Sequence, residues 1–245
     1  MDSYLEQYNQ QGFFIIKNLI DQEKVELAFR EIISSNETQV YHDRNGAIRR
    51  IERIYDKGPN LIDINNTFLE ELSSIFGEEF CIFKDKFNAK PPQGEGFYAH
   101  YDGIFNWKDK SGDLRDGWHI YADEFVNILV SVDSCTEENG TIEIANIHKG
   151  EFEELLENTK KDGTPDLTEI VEKQTKFKKI LIDPGDVVIF SSRCPHRSKK
   201  NTSSNDRRTI YYTYNPISYG DHYESYFDDK SQSQNTTSKS LSGEL

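Results

Sequence analysis

Two histidines, an aspartate and an arginine carry the chemistry this sequence can do. The segment Tyr98-Ala99-His100-Tyr101-Asp102-Gly103 sets an imidazole and a carboxylate two residues apart. At the end of a strand such a pair shares one face. A second imidazole, His196 in Arg193-Cys194-Pro195-His196-Arg197-Ser198, follows a predicted strand at 187–191. Two histidines and one carboxylate on one face of an octahedron leave three positions open. That suits iron(II) and oxygen chemistry better than a closed zinc site. Asn205-Asp206-Arg207-Arg208-Thr209 then opens a late strand, where an arginine can clamp a dicarboxylate through paired bonds. An HxD alone is weak, since many chains hold one by chance. HxD, a distal His and an Arg in series are specific.

The elements that must position these residues change character along the chain. Residues 1–80 read as mainly helical with one early strand after Gly12. Asp21 caps a helix to about Ser34, and 61–76 repeats the apolar spacing of a second helix. From residue 81 the period becomes two. Short strands are expected at 81–88, 96–100, 119–121, 126–133, 140–144, 178–182, 187–191 and 208–215. Asp183-Pro184-Gly185-Asp186 is a turn between two of them. Many short strands punctuated by Gly, Pro and Asn imply a sandwich or barrel, not a doubly wound sheet. The expectation is one domain over 1–229: a helical part at 1–80, a barrel at 81–217, a lid-like insert at 149–177, and a disordered tail at 230–245.

Bulk composition excludes several classes. The 245-residue chain carries a net charge of −14, which repels nucleic acid and anionic membranes. No apolar run reaches membrane-span length, and the polar, acidic start is unlike a signal peptide. A cytoplasmic protein acting on a small molecule, with neither nucleic acid nor membrane as partner, is expected. Three widely spaced cysteines fit neither a disulfide framework nor a structural zinc site.

With the motif series in view, the chain resembles the phytanoyl-CoA dioxygenase-like oxygenases. The likeness runs from Gln11-Gly12-Phe13 to about Asn215 and includes Glu138-Asn139-Gly140-Thr141-Ile142 and Ile147-His148-Lys149. Ala145-Asn146 departs from the family's usual residues before that histidine, and Trp107 lies one residue later than the family's aromatic. The resemblance implies a mainly β fold with flanking helices, a double-stranded β-helix (jelly-roll, cupin-like) barrel with the metal at its mouth. It implies His100, Asp102 and His196 as ligands of Fe(II), with Arg207 and Ser198 on the distal carboxylate of 2-oxoglutarate. O2 would be the second cosubstrate and hydroxylation the outcome, with release of succinate and CO2. The stretch Phe83-Lys84-Asp85-Lys86-Phe87-Asn88, with Pro91 to Tyr98 after it, is similar to one in members that hydroxylate small organophosphonates. By that likeness Lys86 and Asn88 lie near cosubstrate or substrate.

The remaining candidates weigh more evenly. Ile48-Arg49-Arg50-Ile51-Glu52-Arg53 clusters arginines in an acidic chain. It reads either as a solvated face or as an anion clamp for substrate made by Arg50 and Arg53. The alternation at 83–88 turns Lys84, Lys86 and Asn88 to one side, as an inward basic face or a guarded edge strand. Tyr98 and Trp107 are the aromatic candidates for a substrate wall. His42, His119, His148 and His222 read as structural. The leading function is hydroxylation of a small polar metabolite, an aminoalkylphosphonate first. The alternatives are another small metabolite (an amino acid, a betaine or an acyl thioester), a metal- or ligand-binding jelly roll without turnover, and a zinc hydrolase.

Overall fold

The computed structural model describes residues 3–43, 46–109 and 111–232. The helical part begins with α1 (Tyr4–Gln11), then β1 (Phe13–Ile16) and α2 (Gln22–Ser34). As expected, Asp21 caps α2, accepting from the backbone N–H groups of Glu23 and Lys24. The chain after α2, rich in polar and charged residues, holds two strands, β2 (Gln39–His42) and β3 (Ile48–Glu52). They pair with each other, and β3 pairs with β4 (Phe80–Lys90), so charged residues were compatible with strand because one face looks into a polar interior. Between β3 and β4 lies α3 (Pro59–Phe76). Its start has no side-chain cap of its own. The Glu31 carboxylate of α2 fills that place, accepting from the N–H groups of Asn60 and Leu61. A Cβ at Gly58 would come within 2.2 Å of that carboxylate, so a side chain there would push the cap aside.

The remaining strands are β5 (Phe97–His100), β6 (Asn106–Lys108), β7 (Leu114–Asp116), β8 (Val126–Ser131), β9 (Ile142–Ala145), β10 (Phe177–Lys179), β11 (Val187–Ser191), β12 (His196–Ser198) and β13 (Arg207–Pro216). They make a seven-stranded sheet in the order β1-β11-β8-β13-β4-β3-β2 and a four-stranded sheet in the order β10-β9-β12-β5. Both are antiparallel throughout. This is the expected double-stranded β-helix, with its two sheets facing each other rather than closing into one hydrogen-bonded barrel. The hairpin β6-β7 was not anticipated, and the strand expected at 119–121 is a turn. There the chain folds onto Gly103, whose carbonyl accepts from Trp118 N–H.

Alternation gives each strand of the large sheet two jobs. On one face Val126, Ile128, Val130, Val187, Ile189, Ile210 and Tyr212 pack on Val25, Ala28, Ile32, Leu61, Ile64 and Phe68 of α2 and α3. On the other face Leu129, Val188 and Phe190 meet Ile142 and Ile144 of the small sheet. Further along that inner face the residues turn polar: Asn127 and Ser131 on β8, Arg207, Thr209 and Thr213 on β13, Lys86, Asn88 and Lys90 on β4, Arg50 and Glu52 on β3. The apolar half closes the sandwich; the polar half is where the site forms.

The insert carries α4 (Phe152–Leu156) and α5 (Glu169–Gln174). Phe152, Leu155 and Leu167 pack on Ala99, Tyr101 and Ile104. The backbone N–H of Leu167 donates to Ala99 O (2.7 Å), and that of Tyr101 to Pro165 O (3.2 Å). The tail does not begin where the sequence suggested. A last helix, α6 (Tyr223–Gln232), takes in residues 230–232 because Tyr223 and Phe227 are buried and hold it to the domain. Residues 233–245, the rest of the expected tail, lie outside the described residues. No helix among the described residues is long and apolar enough to cross a membrane.

Candidate metal centre and its cavity

Strands β5 and β12 are neighbours in the small sheet, with His100 directly opposite His196. The pairing brings two distant segments of sequence to one point. One nitrogen of each imidazole and an oxygen of Asp102 all lie within 4.8 Å of one another. The two rings are 4.3 Å apart between centroids, and His196 Nε2 is 3.7 Å from Asp102 Oδ2. Each imidazole is oriented from behind. His100 Nδ1 lies 2.7 Å from the carbonyl of Tyr98, and His196 Nδ1 lies 3.1 Å from that of Cys194. A carbonyl only accepts, so each Nδ1 carries the proton and each Nε2 keeps a lone pair for a metal. Burial, with His100 alongside, pushes His196 down to about 3, so it is neutral and ready to ligate. Burial opposes ionisation of Asp102, but His196, Lys84 and Lys86 outweigh it and hold the carboxyl below its usual range. Two neutral imidazoles and one carboxylate fit a divalent first-row ion that keeps open positions.

The carboxylate is steadied from the large sheet. Asn127 Nδ2 donates to Asp102 Oδ2 (2.9 Å), and Thr213 Oγ1 donates to Asn127 Oδ1 (2.7 Å). Both side chains are buried. Asn127→Leu is expected to weaken metal affinity by about 10- to 100-fold, because outer partners of ligands contribute on that scale. Metal titration of the variant checks this; unchanged affinity would mean that Asp102 is oriented by other contacts. Gly103, at φ +85°, follows at once, and a side chain there would strike the Trp118 ring.

Away from the triad, β13 and β4 bury a second polar group. Arg207 is 2% exposed, yet its Nε and Nη1 have no hydrogen-bond partner among the described residues. Thr209 Oγ1, on the same face, also lacks a partner, as does its cross-strand neighbour Asn88 Oδ1, an acceptor that only a donor group could satisfy. Buried polar groups are normally paired, so unpaired donors around a guanidinium mark the seat of an absent anion. Ser198 belongs to the same group. Its Oγ accepts from Lys90 Nζ (2.8 Å), which leaves the hydroxyl proton free to donate. Lys90 is itself fully buried and also bonds the Gly140 carbonyl (3.0 Å). Burial and the nearby Arg207 push it down to about 5. These residues fit the far carboxylate of a dicarboxylic cosubstrate.

A cavity of about 310 Å³ opens in front of the triad. The strands supply Arg50, Glu52, Lys84 and Lys86. The β6-β7 region and the turn after it add Trp107, Trp118 and Tyr121, and the insert adds Asp162 to Pro165. Helix α6 closes one side with Tyr226, Asp229 and Lys230. It is latched by the Lys230–Glu52 ion pair and by Tyr121 OH donating to Asp229 (2.6 Å). The structure therefore brings His100, Asp102, Lys86, Arg50 and Trp107 to one cavity, with His196 completing the triad behind its lining, and Arg207, Ser198 and Asn88 to the polar group beside it.

Two expected substrate residues are not brought there. Arg53 follows the end of β3 at φ +63° and turns to α6, where Nη2 donates to both oxygens of Glu224 at 2.7 Å. Tyr98 lies outside the cavity lining, with Lys160 of the insert 4.8 Å from its ring centroid. Sequence reasoning missed Asn127, Thr213, Lys90, Trp118 and the whole of α6. Asn127 had left a signal, as a lone amide in the apolar run Val126 to Val130.

Comparison with known proteins agrees with this geometry. A family model described as Phytanoyl-CoA dioxygenase (PhyH) matches residues 8–209. A 2-aminoethylphosphonate dioxygenase from an uncultured bacterium (HF130_AEPn_1) is 34% identical over 159 residues, 65% of this chain and 55% of that protein. A methylphosphonate hydroxylase from Gimesia maris is 29% identical over 161 residues, with the same 65% and 55% shares. The chain thus spans about half the length of these curated relatives. Among solved structures, EctD from S. alaskensis superposes with a TM-score of 0.66 at 17% identity, over 87% of this chain and 76% of that one. The non-heme alpha ketoglutarate dependent carbocyclase SnoK does so with 0.65 at 13%, over 86% and 82%. At such identities these likenesses speak for the fold.

Proposed function

This chain belongs to the phytanoyl-CoA dioxygenase family. From that premise we propose that it is an iron(II)- and 2-oxoglutarate-dependent oxygenase that hydroxylates a C–H bond of a small phosphonate, with an aminoalkylphosphonate the first candidate. The observation that carries the reading is the buried Arg207 guanidinium, with two nitrogens unpaired, in the same sandwich as the His100–Asp102–His196 triad. A zinc hydrolase has no use for a buried clamp of that kind. The names of the two phosphonate-active relatives support the substrate class.

In this reading His100, Asp102 and His196 hold the iron. When bound, it supplies oxygen activation coupled to decarboxylation of 2-oxoglutarate, one oxygen atom ending in succinate and the other in the substrate hydroxyl. The rest is done by the chain. Tyr98 and Cys194 fix the imidazole tautomers through their carbonyls, and Asn127 aims Asp102. Arg207 and Ser198 take the far carboxylate of the cosubstrate, with Thr209 and Asn88 at hand. Lys84, Lys86 and Arg50 receive the acidic head of the substrate. Trp107 and Trp118 wall the cavity against water. The segment Asp162 to Pro165 serves as the lid that the insert's position suggests.

The test begins with anaerobic addition of iron(II) and 2-oxoglutarate, read by the weak visible charge-transfer band of the chelate. Succinate release is then measured with 2-aminoethylphosphonate and methylphosphonate. A band followed by phosphonate-dependent succinate is the expected result. A folded protein that gives no band would overturn the class; a band with no response to any phosphonate would overturn the substrate.

A further inference from the structure

Lys84 and Lys86 stand out in the cavity for what they lack. Both are only partly exposed and line it, yet neither makes a hydrogen bond or ion pair among the described residues. What surrounds their ammonium groups is aromatic. Lys84 Nζ is 4.0 Å from the Trp118 ring centroid and 5.8 Å from that of Tyr226. Lys86 Nζ is 5.0 Å from that of Tyr211. Ring faces tolerate a cation without neutralising it, but burial pushes both ammonium groups down, Lys86 to about 8 and Lys84 well below its usual range, so an anion bound between them favours their charged forms.

The carboxylates nearby are all engaged. Glu52, on β3, is taken by Lys230 of α6 and lies 3.5 Å from Arg50. Asp229, also on α6, accepts from Tyr121. Asp102 is held by Asn127 and faces His196. With Glu52 shared between Lys230 and Arg50, Lys84 and Lys86 face the cavity with no direct ion-pair partner, only the more distant pull of Asp102 and Glu52. Like charges so close repel, and a partly dry site magnifies the cost.

We infer that Lys84 and Lys86 together form a receptor for a doubly charged tetrahedral oxoanion, so that the protein selects the phosphonate dianion over singly charged heads of similar shape. This deepens the substrate reading above and rests on it. The spacing agrees. Residues i and i+2 on one strand face are about 7 Å apart. Two charge-assisted bonds of about 2.8 Å, one to each of two oxygens of a single group, bridge such a gap. Charge is what discriminates. A carboxylate or a sulfonate neutralises one lysine and leaves the other unpaired; a phosphonate dianion neutralises both.

The test uses the full chain loaded anaerobically with iron(II) and 2-oxoglutarate. Three matched probes are titrated: 2-aminoethylphosphonate, 2-aminoethylsulfonate and 3-aminopropanoate. Perturbation of the chelate band reads binding without turnover, and succinate release reads turnover separately. The sulfonate keeps the tetrahedral shape and removes one charge. The expected result at pH 8 is phosphonate binding about 10- to 100-fold tighter than sulfonate, the scale of one charge-assisted contact. Lys84→Gln and Lys86→Gln should each cut phosphonate affinity by a similar factor and bring the ratio between the two heads near one. Equal affinity of the wild-type protein for phosphonate and sulfonate, which needs no variant to fold, would overturn the inference and leave the oxygenase reading standing. A band that forms but responds to none of the three probes would overturn the phosphonate reading and the inference with it.

Discussion

Replacing His196 with alanine is expected to yield a folded protein that no longer retains iron(II), with turnover down roughly a thousandfold or more. The structure says why the two effects separate. His196 lies on β12 of the small sheet and touches the sandwich core mainly through the edge of Phe190, at 5.2 Å between centroids. The larger core packs on the far face of the seven-stranded sheet and does not involve it. Loss of one buried imidazole therefore costs roughly 1–3 kcal/mol. The metal site loses more, since a bidentate remnant of His100 and Asp102 cannot hold an ion that also exchanges three other ligands. Iron content after desalting and the thermal midpoint are the measurements. Retained iron with retained activity would remove His196 from the ligand set.

The second large effect is on the cosubstrate. Arg207→Ala is expected to raise the KM for 2-oxoglutarate by about 150- to 4,000-fold, because breaking a buried charge pair from one side costs roughly 3–5 kcal/mol. Arg207→Lys should rescue little, since an ammonium cannot reproduce the paired geometry of a guanidinium. A thermal readout adds a sign that kinetics alone would miss. In the free protein the Arg207 charge is buried with two nitrogens unpaired, a destabilising arrangement. The alanine variant should thus be no less stable than wild type without 2-oxoglutarate, and should lose the gain in midpoint that the cosubstrate gives to wild type. An unchanged KM would place the cosubstrate carboxylate elsewhere.

Much of this was legible in the chain because strands carry their geometry in their spacing. HxD at a strand end places two ligands on one face whatever the rest of the fold does. The alternation of Lys84, Lys86 and Asn88 likewise put them on one side before any partner strand was known. What was not legible depended on partners or on backbone bends. Arg53 looked equivalent to Arg50, but β3 stops at Glu52 and the positive φ at Arg53 turns it to Glu224. Lys90 continues the same alternation, yet nothing in a sequence says that a lysine will be sealed between Ser198 and the Gly140 carbonyl. His119 and Tyr121 have strand-forming composition, but the approach of Trp118 to Gly103 makes a turn there. Helix α6 was hidden because its core contacts come from Tyr223 and Phe227 set in a run of acids and polar residues.

That last helix has a consequence for how such a protein can change. His100, His196, Ser198 and Arg207 sit on strands whose backbones are locked into two sheets, with Asp102 just past the end of β5, and an insertion there would shift every neighbour. Helix α6 belongs to neither sheet, yet it furnishes Tyr226, Asp229 and Lys230 to the cavity wall. Lengthening, trimming or exchanging it breaks no strand pairing. One wall of the cavity is thus written in a stretch of chain separable from the strands that carry the triad and the basic face, and a lineage, or an engineer, can revise that wall while inheriting the rest intact. Any shortened version meant to keep this protein's selectivity has to end beyond Lys230.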